Sequence, residues 1–355
     1  MTLITLHSRI HFASHVLEEA LRAETEAQRL DNALLLCPVS LRDGDFLARV
    51  EAGLADCGAV TRYIIAAGET KYDTAAAATA IDAAAPVDLI VSFGSADCIA
   101  HGRKARHAIT ARRYEAAKAR DRGAAQQSEC QPAFFVVPSV DGMPDPCLES
   151  GAGRTFKTTP PGVIICDPTV IGDADEASLA KALSLTMGRC LNVLGAASFN
   201  PLADGLAMDA LGRIRMVADA GPEWRRDLMA ATLMSAIALQ KGTGLVEALR
   251  YSFGKVVDRD LDSAVLHRVM LARLLASNDG VPTTVVAQVL GLPSGAGLPA
   301  QLEGLMRDMP LPATLREMDV AWNEVEEAVD FMEPKFGTPQ LRSHDELTGV
   351  LRDVF

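Results

Sequence analysis

The sequence predicts a two-domain protein: an α/β domain with a doubly wound parallel sheet over residues 1–173, and an all-helical domain over residues 174–355. Three observations support this prediction. The chain has 355 residues, of which 49% are hydrophobic and 23% charged. A globular chain of this length normally divides into more than one hydrophobic core. Strand and helix patterns alternate in the first half. In the second half, apolar residues recur at helical spacing.

Short apolar runs in the first half predict the strands of the sheet. These runs are ALLLCPV (33–39), RYIIAAG (62–68), DLIVSFG (88–94), FFVVPSV (134–140) and the segment PPGVIICDPTVIGD (160–173). Helical segments through FLARVEAGLADCG and YDTAAAATAIDAA separate the first three runs, as the crossovers of βαβ units require. Ligands of such sheets bind beyond the carboxyl ends of the strands, so the cleft between the two halves is the expected site.

The second half shows helical spacing from Asp175 onward. Four clear examples are SLAKALSLTMGRCLNVLGAA, ADGLAMDALGRIRMVADA, RDLMAATLMSAIALQKGTG and DSAVLHRVMLARLLASN. Glycine and proline end these segments, for instance at Gly221-Pro222 and in the loop GLPSGAGLP (291–299). No strand pattern occurs here, so this half is predicted to be entirely helical.

Charge and cysteine usage exclude several functional classes. A net charge of -12 and a pI near 5.1 oppose nucleic-acid binding. The chain lacks an 18-residue apolar run and a signal-peptide pattern, so no membrane role is expected. Seven cysteines are scattered without a C-x-x-C pair. We therefore expect a cytoplasmic protein whose cysteines are reduced, buried and without a catalytic role.

Three histidines near the N-terminus have the spacing of a helical metal site. His7, His11 and His15 would lie on one face of a helix. However, LHSRIHF has the alternation of a strand, and Ser14 before VLEEAL is placed to cap a helix N-terminus. The three rings would then point in different directions, and the preferred interpretation is surface and strand-end histidines.

A turn suited to phosphate follows the strand DLIVSFG. It consists of Gly94, Ser95, Ala96 and Asp97 and leads into a helix that carries Arg103 and Lys104. A helix N-terminus attracts anions, but the turn has one glycine and Asp97 adds negative charge where a pyrophosphate would bind. The basic segment 103–122 that follows is either a solvated helix face or an anion-binding surface, for instance for a 2′-phosphate or an acidic substrate.

Several segments resemble, in the same order, motifs of the iron-containing alcohol dehydrogenase superfamily, which includes the maleylacetate reductases. They are RIHFASHVLEEAL, DLIVSFGSAD, FFVVPSVDG, GVIICDPTVI, NPLADGLAMDALGRI and GTGLVEALRYSFG. The resemblance covers essentially the whole chain and implies the same two-domain fold. It also implies NAD or NADP as cofactor, bound at the turn of Gly94 to Asp97 and at Ser139 and Val140. A homo-oligomer, typically a dimer, is expected.

The resemblance also implies that the metal site is lost. Where metal-dependent members carry an aspartate and three histidines, this chain has Gly188, Asn192, Tyr251 and Ser263. These side chains are poor ligands for Fe²⁺ or Zn²⁺, so no catalytic metal is expected. The metal-free maleylacetate reductases are the most similar branch. His267 matches a histidine of that branch, and Arg103 occupies the place of a lysine.

The resulting prediction is a metal-independent, NAD(P)H-dependent oxidoreductase that reduces a keto or aldehyde group of a small, acidic substrate. Tyr251 or His267 would donate the proton, and Arg103 would anchor the substrate carboxylate. One alternative is a non-catalytic homologue that serves as a structural or regulatory subunit of an active enzyme. Another is a new reaction or ligand in a site lined by Asp97, Asp141 and Asp145.

Overall fold

The chain forms two compact units in a computed structural model. The first unit contains the described residues from 6 to 139 and from 160 to 172, and the second contains those from 175 to 355. The residues described are 6–120, 130–139, 160–172, 175–218, 223–242, 245–256, 261–276, 281–293, 297–307, 309–336 and 344–355.

The first unit is built on a six-stranded, fully parallel sheet with the order β1-β6-β5-β4-β2-β3. Its central strands are buried over nearly their whole length, as expected when helices cover both faces. The predicted doubly wound sheet is thus confirmed. The strands are β1 Arg9–Phe12, β2 Asn32–Pro38, β3 Ala59–Ile65, β4 Leu89–Gly94, β5 Ala133–Pro138 and β6 Val163–Cys166.

Four α-helices connect the strands of this unit. The third of these helices begins at a capping box, in which Thr70 and Asp73 satisfy each other's backbone N–H groups. The helices are α1 Leu17–Gln28, α2 Asp45–Gly53, α3 Lys71–Ala84 and α4 Ala96–Arg120.

Asp167, which follows β6, caps the start of α1. Its carboxylate accepts hydrogen bonds from the backbone N–H groups of His15 (3.0 Å) and Leu17 (3.3 Å). The predicted capping role of Ser14 is therefore wrong, because a buried carboxylate about 150 residues away takes that place. Asp167 is also bound by Arg49 at 3.0 Å, and Arg49 in turn pairs with Glu18. Glu18, Arg49 and Asp167, called the Asp167 hub below, therefore connect α1, α2 and the end of β6.

Gly102 allows α4 to lie close to the sheet. A Cβ atom at this position would come within 2.9 Å of the Phe134 ring and closer still to the Ser92 hydroxyl. The sequence analysis did not identify this contact, since a glycine inside a helix shows its purpose only when the neighbouring strands are in place. Gly102 thereby sets the distance between α4 and the strands β4 and β5.

The second unit contains nine α-helices among its described residues, and no strand is present in that part of the chain. The all-helical prediction is therefore confirmed for the described residues. Two hydrophobic clusters form its core, one around α5, α6 and α7 and one around α8, α9 and α12. The helices are α5 Glu176–Gly195, α6 Pro201–Ala218, α7 Trp224–Ala238, α8 Leu245–Val256, α9 Ser263–Ala276, α10 Thr283–Val289, α11 Leu298–Arg307, α12 Trp322–Phe336 and α13 His344–Arg352.

None of the helices in the described residues combines the length and the hydropathy that crossing a membrane would require.

Candidate functional site

The predicted phosphate turn lies at the carboxyl end of β4. Gly94 has a φ of 138°, and a Cβ atom there would lie 3.0 Å from Cδ of Pro38, so a larger residue is excluded on two grounds. The backbone N–H of Ser139 donates to the Gly94 carbonyl oxygen at 2.9 Å. Helix α4 begins at Ala96. Gly94, Ser95, Ala96, Asp97 and Ser139 therefore meet at one sheet edge, whereas Val140 lies outside the described residues.

The negative charge of Asp97 is balanced by two neighbours. Its carboxylate lies 3.5 Å from Nζ of Lys71 and 3.6 Å from Nε2 of His101. The hydrogen bond from His101 lowers the pKa of Asp97, and the charge of Lys71 lowers it further. The carboxylate is also 71% exposed, so solvent screens it. Asp97 thus opposes a phosphate at this turn less than the sequence suggested.

A chain of hydrogen bonds behind the turn holds His101 in place. His101 is buried, and its Nδ1 lies 2.7 Å from the Thr74 hydroxyl, which donates to Glu69 at 2.7 Å. The Tyr63 hydroxyl donates to the same Glu69 oxygen at 2.6 Å. Burial and the Glu69 carboxylate raise the pKa of Tyr63 to about 12, so its hydroxyl stays a donor at neutral pH. Tyr63 lies on β3, Glu69 in the loop after it, Thr74 on α3 and His101 on α4, so no local sequence pattern links these residues.

Three arginines of the basic segment make contacts inside the α/β unit. Arg112 and Arg113 both pair with the buried carboxylate of Asp82. Arg106 donates to the Pro132 carbonyl at 2.9 Å and to Gln131 at 3.1 Å. The idea of an anion-binding surface along the whole segment is therefore wrong for these three arginines, since they stabilise the packing of α4. Arg103 is half-buried, about 10 Å along α4 from its first residue.

The predicted proton donors lie in the helical unit. Tyr251 is half-buried on α8, and its ring centroid lies 6.3 Å from that of Phe331 on α12. His267 on α9 is fully buried. Ser263 is the first residue of the same helix.

Gly188 and His267 are in direct contact. A Cβ atom built on Gly188 would lie 2.5 Å from Cγ of His267 and still closer to its Nδ1. The imidazole thus fills the space that an aspartate side chain would need at this position. Two further contacts join the same helices: the Ser184 hydroxyl donates to the Ala264 carbonyl at 2.9 Å, and Lys181 pairs with Asp262 at 2.8 Å.

The resemblance places metal ligands at Gly188, Asn192, Tyr251 and Ser263, and the first two of these residues are poorly suited to bind Fe²⁺ or Zn²⁺. Gly188 supplies no donor and is blocked by His267, while Asn192 offers a neutral amide that is a weak ligand. Elsewhere in the described residues, no group of three or more histidine, cysteine, aspartate or glutamate side chains is arranged to hold a metal ion.

Arg189 is a buried charged residue that no sequence motif identified. It follows Gly188 on α5 and is only 6% exposed, although arginine is almost always exposed unless paired. Its only sequence signal is a charge placed between the apolar residues Met187 and Cys190.

Comparison with known proteins shows which solved structures share this fold. No family model matches the chain. A 4-hydroxybutyrate dehydrogenase from Cupriavidus necator is 29% identical in an alignment of 176 residues, and the match covers 45% of this chain and 46% of that protein. The aligned region thus spans about half the length of this relative.

Solved structures match over the whole chain. A maleylacetate reductase from Agrobacterium tumefaciens has a TM-score of 0.71 at 17% identity, covering 100% of this chain and 97% of its own. A sulfoacetaldehyde reductase from Bifidobacterium kashiwanohense, in complex with NAD⁺, has a TM-score of 0.72 at 13% identity, with coverages of 100% and 98%. An iron-containing alcohol dehydrogenase from Thermococcus thioreducens has a TM-score of 0.77 at 16% identity, covering 99% of both chains.

The chain therefore has the fold of the iron-containing alcohol dehydrogenases and maleylacetate reductases. At these identities the likeness concerns the fold alone. The resemblance that the sequence motifs indicated is confirmed at that level.

Proposed function

We propose that this protein is a nicotinamide-dependent oxidoreductase that interconverts a carbonyl and an alcohol on a small, acidic substrate without a catalytic metal. The observation that carries the proposal is the turn from Gly94 to Asp97, where a glycine-tightened strand end meets the N-terminus of a long helix in a parallel sheet. This arrangement is the usual site of a dinucleotide pyrophosphate.

The turn has the features needed to bind phosphate. Helix α4 begins at this turn, and an α-helix leaves its first N–H groups without acceptors inside the helix, so N–H groups at its start can bind a phosphate. The Asp97 carboxylate is offset by Lys71 and His101, and Lys104 lies 4.2 Å from the Tyr72 ring on the neighbouring helix α3. One similar structure is a complex with NAD⁺.

The acidic substrate is proposed from the relatives. 4-Hydroxybutyrate and maleylacetate carry carboxylates, and sulfoacetaldehyde carries a sulfonate. A bound reduced nicotinamide would supply the hydride to the carbonyl carbon. Tyr251 or His267 would supply the proton to the carbonyl oxygen, and Arg103 would neutralise an anionic group of the cofactor or the substrate.

Metal independence is proposed because the side chains at the positions of the family's metal ligands are poor ligands. Gly188 has no side chain, and the His267 imidazole occupies the space beside it. The task that a metal would perform, polarising the carbonyl oxygen, must then fall to hydrogen-bond donors and positive charge supplied by the protein.

Nucleotide binding and turnover test the proposal. The purified chain, treated with EDTA and checked for metal content, is titrated with NADH and NADPH while nicotinamide fluorescence is recorded. It is then assayed for oxidation of the reduced nucleotide with succinate semialdehyde, using butyraldehyde as the matched substrate without an acid group. We expect binding of one nucleotide and faster turnover of the acidic aldehyde. Absence of binding to both nucleotides would refute the proposal.

The same preparation separates an enzyme from a companion subunit. We propose a homo-oligomer, and light scattering after gel filtration measures its mass. A nucleotide that binds without turnover of either aldehyde, together with co-purification of a related active chain, would instead support the non-catalytic alternative.

A further inference from the structure

Helix α5 buries polar groups whose N–H donors have no acceptor within the described part of the chain. Arg189 is 6% exposed, and its Nε and Nη1 atoms are enclosed without a hydrogen-bond partner. The side-chain amide nitrogen Nδ2 of Asn192, one turn further, is enclosed and unpartnered in the same way. Buried donors in proteins are normally hydrogen-bonded, so two such residues side by side call for a physical explanation.

The two residues share one side of α5. Residues three apart on a helix are neighbours, which places Asn192 beside Arg189. The apolar residues of the helix turn the other way: Met187, Cys190, Leu191 and Leu194 pack into the hydrophobic cluster of α5, α6 and α7. Arg189 and Asn192 therefore form a polar strip beside Gly188, where the resemblance placed a metal ligand.

Among the described residues, the other deeply buried charges are matched by an opposite charge. Lys241 in the helical unit is 9% exposed and lies 2.6 Å from the Asp204 carboxylate. In the α/β unit, Asp167 is held by Arg49. A buried guanidinium without such a partner is strongly unfavourable. The contrast indicates that the counter-charge of Arg189 comes from a ligand.

We propose that Arg189 and Asn192 bind the carboxylate of a small organic acid. The planar guanidinium can donate two parallel hydrogen bonds to the two carboxylate oxygens, and the Asn192 amide supplies a further donor. The site takes over the position next to the lost metal ligand with a fixed positive charge, which repels a metal cation and attracts the acid group. That this acid is the substrate rests on the function proposed above, whereas the anion site itself does not.

Succinate binding to the full chain without nucleotide tests the site. Isothermal titration calorimetry and thermal unfolding are measured with succinate and with butane-1,4-diol, its neutral counterpart. We expect succinate, and not the diol, to bind and to raise the Tm. Arg189→Met should weaken succinate binding by about tenfold or more, since a hydrogen-bonded charge is lost. Arg307→Met removes an exposed arginine of α11 and should leave binding unchanged.

Stability without ligand separates a binding role from a structural one. Methionine has a similar volume, so replacing an unmatched buried charge by it should leave the Tm of the unliganded protein unchanged or higher. An Arg189→Met variant that loses Tm without ligand, or one that still binds succinate as tightly as the wild type, would overturn the proposal. Binding of inorganic phosphate in preference to succinate at Arg189 would also overturn it.

The outcome is independent of the nucleotide test. If NADH binds and succinate does not, the site is wrong and the oxidoreductase proposal stands. If succinate binds through Arg189 and neither nucleotide binds, the oxidoreductase proposal fails and the carboxylate site stands.

Discussion

In the α/β unit, the buried carboxylates Asp82 and Asp167 are each held by arginines, whereas in the helical unit the buried Arg189 meets no carboxylate among the described residues. Asp82 binds Arg112, Arg113 and the backbone N–H of Val87, and Asp167 caps α1. The first unit thus uses buried charge to hold its helices on the sheet.

In the helical unit, the contact between α5 and α9 depends on close packing rather than on charge. His267 packs directly on Gly188, in a place where one extra carbon atom does not fit. The buried charge of Arg189 in the same unit has no carboxylate partner among the described residues, and a ligand would compensate it. The difference indicates that Asp82 and Asp167 serve the stability of the α/β unit, whereas Arg189 of the helical unit serves ligand binding, and each assignment can be tested by substitution.

The largest expected effect is on the Asp167 hub. Asp167→Ala would leave the backbone N–H groups of His15 and Leu17 without an acceptor and remove a partner of Arg49. Removing one member of a buried charge pair typically costs about 3–5 kcal/mol. Urea unfolding measures the loss. Asp56→Ala is the matched control, because Asp56 is 71% exposed in its pair with Arg22 and should cost no more than about 1 kcal/mol.

Low pH should also destabilise the α/β unit, because it protonates Asp167. Burial raises the pKa of Asp167, but hydrogen bonds from Thr169, His15 and Arg49 outweigh it and hold the pKa below its usual range. A carboxylate with a lowered folded pKa contributes stability above its unfolded pKa of about 3.9 and loses it as pH falls through the folded value. We expect the urea midpoint of the wild type to fall below about pH 4, and that of Asp167→Asn to fall less steeply. Parallel pH profiles would contradict the assignment.

A smaller loss is expected at the contact between α5 and α9. Gly188→Ala places a methyl group against the His267 ring and should cost about 1–3 kcal/mol through overpacking. In a His267→Ala background, the same change should cost much less, because the ring that blocks the methyl group is gone. A double-mutant cycle from urea unfolding measures this coupling.

Gly205→Ala on α6 is the control for this pair. A Cβ atom there meets nothing within 4 Å, so the change should be neutral or stabilising by about 0.5–1 kcal/mol through helix propensity. Equal losses for Gly188→Ala in both backgrounds would mean that His267 does not fill the space beside Gly188.

The secondary structure was predictable from local pattern. Five apolar runs of the first half became strands β2 to β6. The runs of β2, β4, β5 and β6 are apolar because these strands are buried on both faces, whereas β3 lies at the sheet edge and is largely exposed. Helical spacing likewise identified α5, α6, α7 and α9. The failed prediction at Ser14 shows the limit, since the residue that caps α1 is Asp167, far away in sequence.

The site was predictable in part. The turn at Gly94 could be located because a strand end and a helix start are local features, but the pairing of Asp97 with Lys71 depends on how α3 packs beside α4. Gly188 was noted only as a missing metal ligand. Its contact with His267 spans 79 positions, and the burial of Arg189 depends on tertiary packing, so neither was accessible from a single sequence.

The smallest expected effect concerns the exposed charge at the phosphate turn. Asp97→Asn removes a carboxylate from the first turn of α4, where a phosphate would bind, and with it the negative charge 3.5 Å from Nζ of Lys71. Charges near a helix N-terminus contribute modestly at an exposed site, so NADH affinity should rise by about two- to fivefold at low salt. The gain should shrink at high salt, because ions screen exposed charges.

Asp345→Asn makes the same change in the first turn of α13 and should leave the affinity unchanged. If Asp97→Asn instead weakens NADH binding, Asp97 contacts the nucleotide directly, through its ribose hydroxyls rather than its phosphates, and the pyrophosphate does not lie at this helix end.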